Sequence, residues 1–555
     1  MVQKDGDGSQ VLLTTLPTEI LDHIIKYVDL ASHLDFACSC KVIANCAQPI
    51  LKRHQDAYQK YRNLSDLSPL TVPTLLRSVV EFADPISVWH VRSFDIWGSR
   101  MGWEHWRPFD VQESIFFNGN IDPLKWSYQS VNTDDYLPPF QGKMSVDELD
   151  MARSELKNGH DGFMKMLLIS MCPRLRDLKF INSEPEKTSL GWLARAIAWH
   201  RLGESWPEGF KALRDVAVGV PWTDMHIYQH SESALDNILH LPNIDSIYYS
   251  GFSERGMDDS ENDDNEDSDE DDADTCPLPP GCSSVRHIFL DHLTGMSRDY
   301  SEALVTAPRE LISMSFRETY HLDYVDNIVK TLGPSVQSLM FYKNRGLHGY
   351  RCSAYQPDEV AFAARHLSID IRDVELAGYG ECVRDNGRDL DHDSFVEYFA
   401  ERAFPESLEV LVLWESVGAF IVKDGDGIQF LEDAVIALIE SGDHPNLKAV
   451  YLDEVEASTD EPRADRICFQ KAIAAGVRAG VDVHTHTNRN QMTHAVEFPQ
   501  APDPLDIASG PISGRRPTSW RFNVHSGRLE PPGCDSCGKC HSCLSVYTKE
   551  LWESI

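Results

Sequence analysis

LRDLKF, residues 175–180, sets the pattern on which the reading of this 555-residue chain turns. An apolar residue is followed by two others, a second apolar residue, one other, and a third apolar residue. The spacing returns as LRDVAV (213–218), IDSIYY (244–249), VRHIFL (285–290), LISMSF (311–316) and VQSLMF (336–341). It continues as IRDVEL (371–376), LEVLVL (408–413) and LKAVYL (447–452). The last two apolar positions of each copy alternate, as in a strand with one buried face. Proline-containing turns precede several copies, and helical stretches such as LEDAVIALIES lead into the next. Each copy therefore reads as a short strand, then a loop and a helix. One such unit cannot bury its apolar face alone, whereas stacked units share a continuous core.

The recurrence resembles leucine-rich repeats, with longer and less regular spacing. A doubly wound α/β sheet would also alternate strands with helices, but it calls for a glycine-rich phosphate loop that the sequence lacks. On the repeat reading, the variable strand positions Lys179, Tyr248, Phe289, Glu375, Val412 and Tyr451 are the candidate substrate-binding residues. Their mixed chemistry suits a protein or peptide rather than a small molecule.

The N-terminal stretch from Leu16 to His54 predicts three short helices. Pro17 suits a first helical turn and Glu19 complements the positive helix end. Ile20, Leu21, Ile24, Ile25 and Val28 then recur at helical spacing, and Pro49 marks a turn or a fresh helix start. Leu16-Pro17-x-Glu19-Ile20-Leu21, with Ile24, Val28, Cys40-Lys41 and Pro49-x-Leu51, resembles an F-box. The resemblance implies that Leu16, Pro17, Ile20, Leu21, Ile24, Ile25 and Val28 bind Skp1, and through it a cullin-RING ubiquitin ligase. Helices this short enclose too little core for themselves and share apolar surface with a neighbour or a partner.

Composition bounds the function classes. Hydrophobic content is 42%, charged content is 25% and the formal net charge is −36. The run DDSENDDNEDSDEDDAD (258–274) carries twelve acidic residues in seventeen. It reads as a disordered acidic loop over 257–275. An acidic surface repels phosphate backbones, so nucleic acid is not an expected partner. No apolar run is long enough to span a membrane, and the N-terminus lacks a secretory pattern. The expected location is intracellular, cytoplasmic or nuclear, with the 13 cysteines mostly as thiols. Trp89, Trp97, Trp103 and Trp106 lie among basic residues, and a packing role for them outweighs nucleobase stacking.

No catalytic signature of a P-loop, serine hydrolase, zinc protease or kinase occurs, so no catalytic residue is assigned and no cofactor is required. Asp389, Asp391, His392 and Asp393 read as a solvated loop, and His484 and His486 lack an identifiable third ligand. CDSCGKCHSC places Cys534, Cys537, Cys540 and Cys543 three apart. They are candidate ligands for zinc or an iron–sulfur cluster, or an exposed thiol-rich tail.

The expected organisation is an F-box at 10–55, an aromatic-rich connecting or capping region at 56–165, repeats at 166–490 and a flexible cysteine-bearing tail at 491–555. The fold class is α/β: a three-helix F-box followed by an irregular leucine-rich-repeat-like solenoid. The resemblances imply a non-catalytic substrate receptor of a Skp1–cullin–F-box ligase, which holds a protein substrate by proximity. Two other readings stand beside it. One is a Skp1-bound scaffold without ligase activity, and the other a metal or redox sensor using the cysteine cluster.

Overall fold

The computed structural model describes residues 13, 16–107, 133–181, 189–201, 203, 205–220, 230–253, 278–291, 296–317, 335–342, 364–386, 392–414, 427–453, 469–486, 495–496, 521–523 and 528–530. The acidic run 258–274 and Cys534, Cys537, Cys540 and Cys543 lie outside these residues.

The fold is α/β, with twelve strands in one open parallel sheet. They are β1 (Asn63–Ser65), β2 (Ser93–Ile96), β3 (Asp177–Ile181), β4 (Asp215–Val220), β5 (Ser246–Ser250) and β6 (His287–Asp291). The rest are β7 (Ser313–Arg317), β8 (Ser338–Tyr342), β9 (His366–Asp370), β10 (Val410–Trp414), β11 (Ala449–Asp453) and β12 (Asp482–His486). Each strand hydrogen-bonds to its neighbours in this list, with no reversal of order. Two compact units divide the chain: Met1–Leu178 with Gly203–Leu213, and Lys179–Leu202 with Arg214–Ile555.

In the first unit, α1 (Thr18–Tyr27), α2 (His33–Cys38) and α3 (Lys41–Tyr61) come first. Their core is Ile25, Ala37 and Ala47, with Phe36, Cys46, Ile50 and Leu51 packed against it. Pro49 does not start a new helix; it stands inside α3 on an exposed position. A missing amide donor is tolerated there because water can take its place. After α3 come α4 (Thr71–Val80), α5 (Ile86–Trp89), α6 (Val146–Asn158) and α7 (Gly162–Met171). Ser145 and Glu148 form a reciprocal capping box at the start of α6, and Gly159 ends it in the left-handed conformation.

The centre of this unit holds a four-charge network. Lys165 Nζ donates to Gly98 O at 2.6 Å and pairs with Asp66 Oδ2 at 2.7 Å and Asp161 Oδ2 at 2.9 Å. Arg100 Nη1 pairs with Asp161 Oδ2 at 3.1 Å, while its Nη2 donates to the carbonyls of Asp66 and Leu67. The other carboxylate oxygens accept from the backbone N–H of Trp97 and Arg100. All four side chains are buried, and two acids balance two bases, so the network is tolerable without water.

In the second unit the register exposes two unlike faces of the sheet. One row reads Val216, Ile247, Ile288, Met314, Leu339, Leu367, Leu411, Val450 and Val483. The next row, on the opposite face, reads Ala217, Tyr248, Phe289, Ser315, Met340, Ser368, Val412 and Tyr451. Helices α8 (Ser189–Arg201) and α10 (Glu232–Leu239) pack together, with α9 (Glu208–Ala212) between them in sequence but in the first unit. Further on, α11 (Arg298–Thr306) and α12 (Ile371–Asn386) precede α13 (His392–Glu401), α14 (Gly427–Ser441) and α15 (Gln470–Ala479). Each of α12 to α14 packs on the next.

Eight of the nine sequence copies start a strand at their third residue. The exception is IRDVEL, which opens helix α12 rather than a strand. Its Ile371 and Val374 are both buried at i, i+3 spacing, a separation common to the repeat and to one helical turn. Asp370 Oδ1 accepts from Arg372 N at 3.0 Å and so starts the helix. The strand of this unit is instead β9, within ARHLSI (364–369), where buried Ala364 takes the first apolar position. The sheet also begins earlier than the copies indicate, because β1 and β2 lie in the segment read as a connecting region.

Candidate functional site

Two surfaces bear on function, the N-terminal helices and the second-unit sheet face. On α1, Leu21 and Ile25 point inward and are buried, while Leu16, Ile24 and Val28 are half-buried. Pro17 is exposed, and Ile20 is 47% exposed. Four more large side chains of these helices are exposed: Tyr27 at 79%, Leu34 of α2 at 61%, Val42 of α3 at 44% and Tyr58 of α3 at 41%. The candidate set thus divides into core residues and surface residues. Tyr27, not among the candidates, stands three residues after Ile24 and seven after Ile20, at the edge of the same stripe, and is the most exposed of these side chains.

A chain of imidazoles ties these helices together. His33 Nε2 meets the Ile25 carbonyl at 3.1 Å, His33 Nδ1 meets His54 Nε2 at 2.8 Å, and His54 Nδ1 meets His90 Nε2 at 2.8 Å. A carbonyl can only accept, so His33 carries its proton on Nε2 and accepts on Nδ1. The same tautomer then follows for His54 and His90, which leaves His90 Nδ1 as the open end of the chain. Nothing among the described residues bonds to that nitrogen. Burial, then the neighbouring His90, His33 and Arg53, hold the pKa of His54 down at about 4, against a weaker opposing pull from Asp84. Burial, then Arg92 and Arg174, lower that of His90.

The sign of the pH effect follows. A histidine with a depressed folded pKa takes up protons on unfolding, so its contribution is complete above the unfolded value of 6.5. It is lost as pH falls from 6.5 toward 4. Thermal melting of the intact chain should therefore drop over that window. His54→Gln should flatten the part of the profile that belongs to the N-terminal helices, read by the amide exchange of α1 to α3 at pH 7 and pH 5. An unchanged pH slope in the variant would refute the assignment.

On the sheet, Tyr248, Phe289, Val412 and Tyr451 share the face opposite the continuous apolar row, and Lys179 holds the corresponding position in β3. Glu375 does not join them; it lies on α12 and is buried. The remaining candidates differ in exposure. Tyr248, Phe289 and Tyr451 are buried, whereas Lys179 and Val412 are half-buried. The Tyr248 and Phe289 rings meet edge to face at 5.1 Å, and the Tyr248 hydroxyl donates to Asp291 Oδ2 at 2.5 Å. Aromatic packing and the bonded hydroxyl account for the burial of these two rings.

His392 pairs with Asp393 at 3.0 Å and with Asp433 at 3.4 Å. Among the described residues no group of three or more histidine, cysteine or carboxylate side chains is arranged to hold a metal ion. None of the described helices is long and apolar enough to cross a membrane. No family model and no curated protein matches the chain.

Proposed function

We propose that the protein is the substrate-receptor subunit of a Skp1–cullin–F-box ubiquitin ligase, with α1 to α3 docking on Skp1 and the sheet-bearing unit holding a protein substrate. The observation that carries the reading is the apolar surface of the N-terminal helices. Ile20, Tyr27, Leu34 and Val42 are exposed around a small core that buries Leu21 and Ile25. These four side chains contribute little burial to the folded chain alone, and burial against a partner would contribute about 1.5–3 kcal/mol for each fully covered one. The strictly sequential parallel sheet supports a repeat architecture over a doubly wound one, whose strand order reverses at a switch point. The ligase role requires no catalytic side chain here, because holding the substrate near a conjugating enzyme raises its effective concentration.

The test is co-purification of the full chain with co-expressed Skp1. Ile20→Glu with Leu34→Glu should abolish association, since both positions are exposed and the helices stay folded. Leu21→Ala is the control for a general loss of the helical core. Failure of the wild-type chain to associate would overturn the reading, and so would full association of the double variant.

A further inference from the structure

The first three strands of the sheet each begin directly after an arginine. Arg62 precedes β1, Arg92 precedes β2 and Arg176 precedes β3. The Arg62 carbonyl accepts from the N–H groups of Arg92 at 2.8 Å and Ser93 at 3.1 Å. The Arg92 carbonyl accepts in the same way from Arg176 at 2.8 Å and Asp177 at 3.1 Å. These bonds set the three backbones at the spacing of neighbouring strands, about 4.8 Å per step. Arg174 joins them, its guanidinium 5.2 Å from the Trp89 ring centroid, and Arg62 stands 5.3 Å from that of Tyr58. Arg92 Nη1 is held by the carbonyls of Trp89 at 2.9 Å and Val91 at 3.0 Å.

Arg62, Arg174 and Arg176 are exposed and Arg92 is half-buried. No ion pair to any of the four occurs among the described residues, although the chain carries 87 acidic residues against 51 basic ones. Burial, and next Arg174, bring the pKa of Arg92 down to about 10, with Tyr58 opposing and Arg62 and Arg176 adding to the repulsion. In the second unit five of the residues that directly precede a strand are charged and paired across the ladder. Asp245 pairs with Arg286 at 2.6 Å, and Glu409 pairs with Lys448 and, at 3.5 Å, with Arg365. The same ladder position can thus hold charges of alternating sign, and in the first unit it holds like charges instead. Planar guanidinium groups fixed over aromatic rings and by carbonyls are preorganised for carboxylates.

We infer that Arg62, Arg92, Arg174 and Arg176 form a docking site for an acidic peptide segment of a partner protein. Two strand steps make the row about 10 Å long, more than one carboxylate or phosphate can bridge, so the ligand carries several anions in series. A peptide fits better than a nucleic acid. It concentrates its charge over a few residues, whereas a nucleic acid is anionic along its whole length and meets the acidic remainder of the surface. The site goes beyond the proposed ligase role and stands whether or not Skp1 binds.

The test uses the full chain and a fluorescein-labelled octaglutamate peptide, followed by anisotropy at low salt. Saturable binding that weakens with salt is expected, with Arg62→Gln, Arg174→Gln and Arg176→Gln together lowering affinity about tenfold, as loss of three exposed charge pairs implies. Arg53→Gln removes an exposed arginine already paired with Asp84 and should leave peptide affinity unchanged. The triple variant should melt at the same temperature as wild type or higher, because it relieves repulsion; a lower melting temperature would show that the arginines serve the fold. No binding by wild type, or undiminished binding by the triple variant, would overturn the inference. Tighter binding of an eight-nucleotide oligothymidylate, or displacement of the peptide by millimolar phosphate alone, would also overturn it.

Discussion

Replacing Lys165 by methionine should destabilise the first unit by about 3–5 kcal/mol, the range for removing one partner from a buried charge pair. The lysine ammonium has its three N–H groups directed at Asp66, Asp161 and the Gly98 carbonyl. Methionine fills most of the volume but leaves two carboxylates facing one guanidinium in a site without water. Urea denaturation followed by tryptophan fluorescence would read the loss, since Trp97 and Trp106 are buried in the same unit. The double variant Lys165→Met with Asp66→Leu keeps the Arg100–Asp161 pair and should recover part of the stability. A single variant as stable as wild type would refute the account of the network.

A second large effect is expected from Leu411→Ala in β10. Leu411 is fully buried, in register between Leu367 and Val450 in the continuous apolar row. Truncation opens a cavity that flanking strands cannot fill, and about 2–5 kcal/mol should be lost. The adjacent Val412 lies on the opposite face and is half-buried, so Val412→Ser should cost about 1 kcal/mol or less. Equal losses at the two positions would contradict the face assignment.

Most of the strand pattern was legible because an apolar i, i+3, i+5 spacing repeats and each copy begins with a large side chain. ARHLSI departs from the pattern because alanine fills its first position, and IRDVEL satisfies it as a helix because i, i+3 spacing also fits a helical turn. VRSFDI (91–96) obeys the full pattern and contains β2, but it stands in a tryptophan-rich stretch that drew attention to its rings. The candidate docking helix was legible as an apolar stripe, although a stripe cannot separate the buried Leu21 from the exposed Ile20 beside it. The four-charge network was not legible at all. Asp161 and Lys165 stand four apart at the start of α7, but nothing in the sequence links that pair to Asp66 and Arg100, whose meeting with it is made by tertiary packing. The arginine row lay between these extremes: Arg62, Arg92 and Arg176 become visible once the strand starts are known.

The uninterrupted strand order has a consequence for how the chain reaches this state. Every strand of the sheet finds its partners in the preceding and following units, so the pairing never waits for distant parts of the sequence to meet. From β3 onward growth of the sheet is then a zipper, in which each added unit closes a loop of similar size at a similar entropic cost, whereas the step from β2 to β3 spans a longer stretch. Such a chain can assemble stepwise as it leaves the ribosome, with each new strand templated on the one before it.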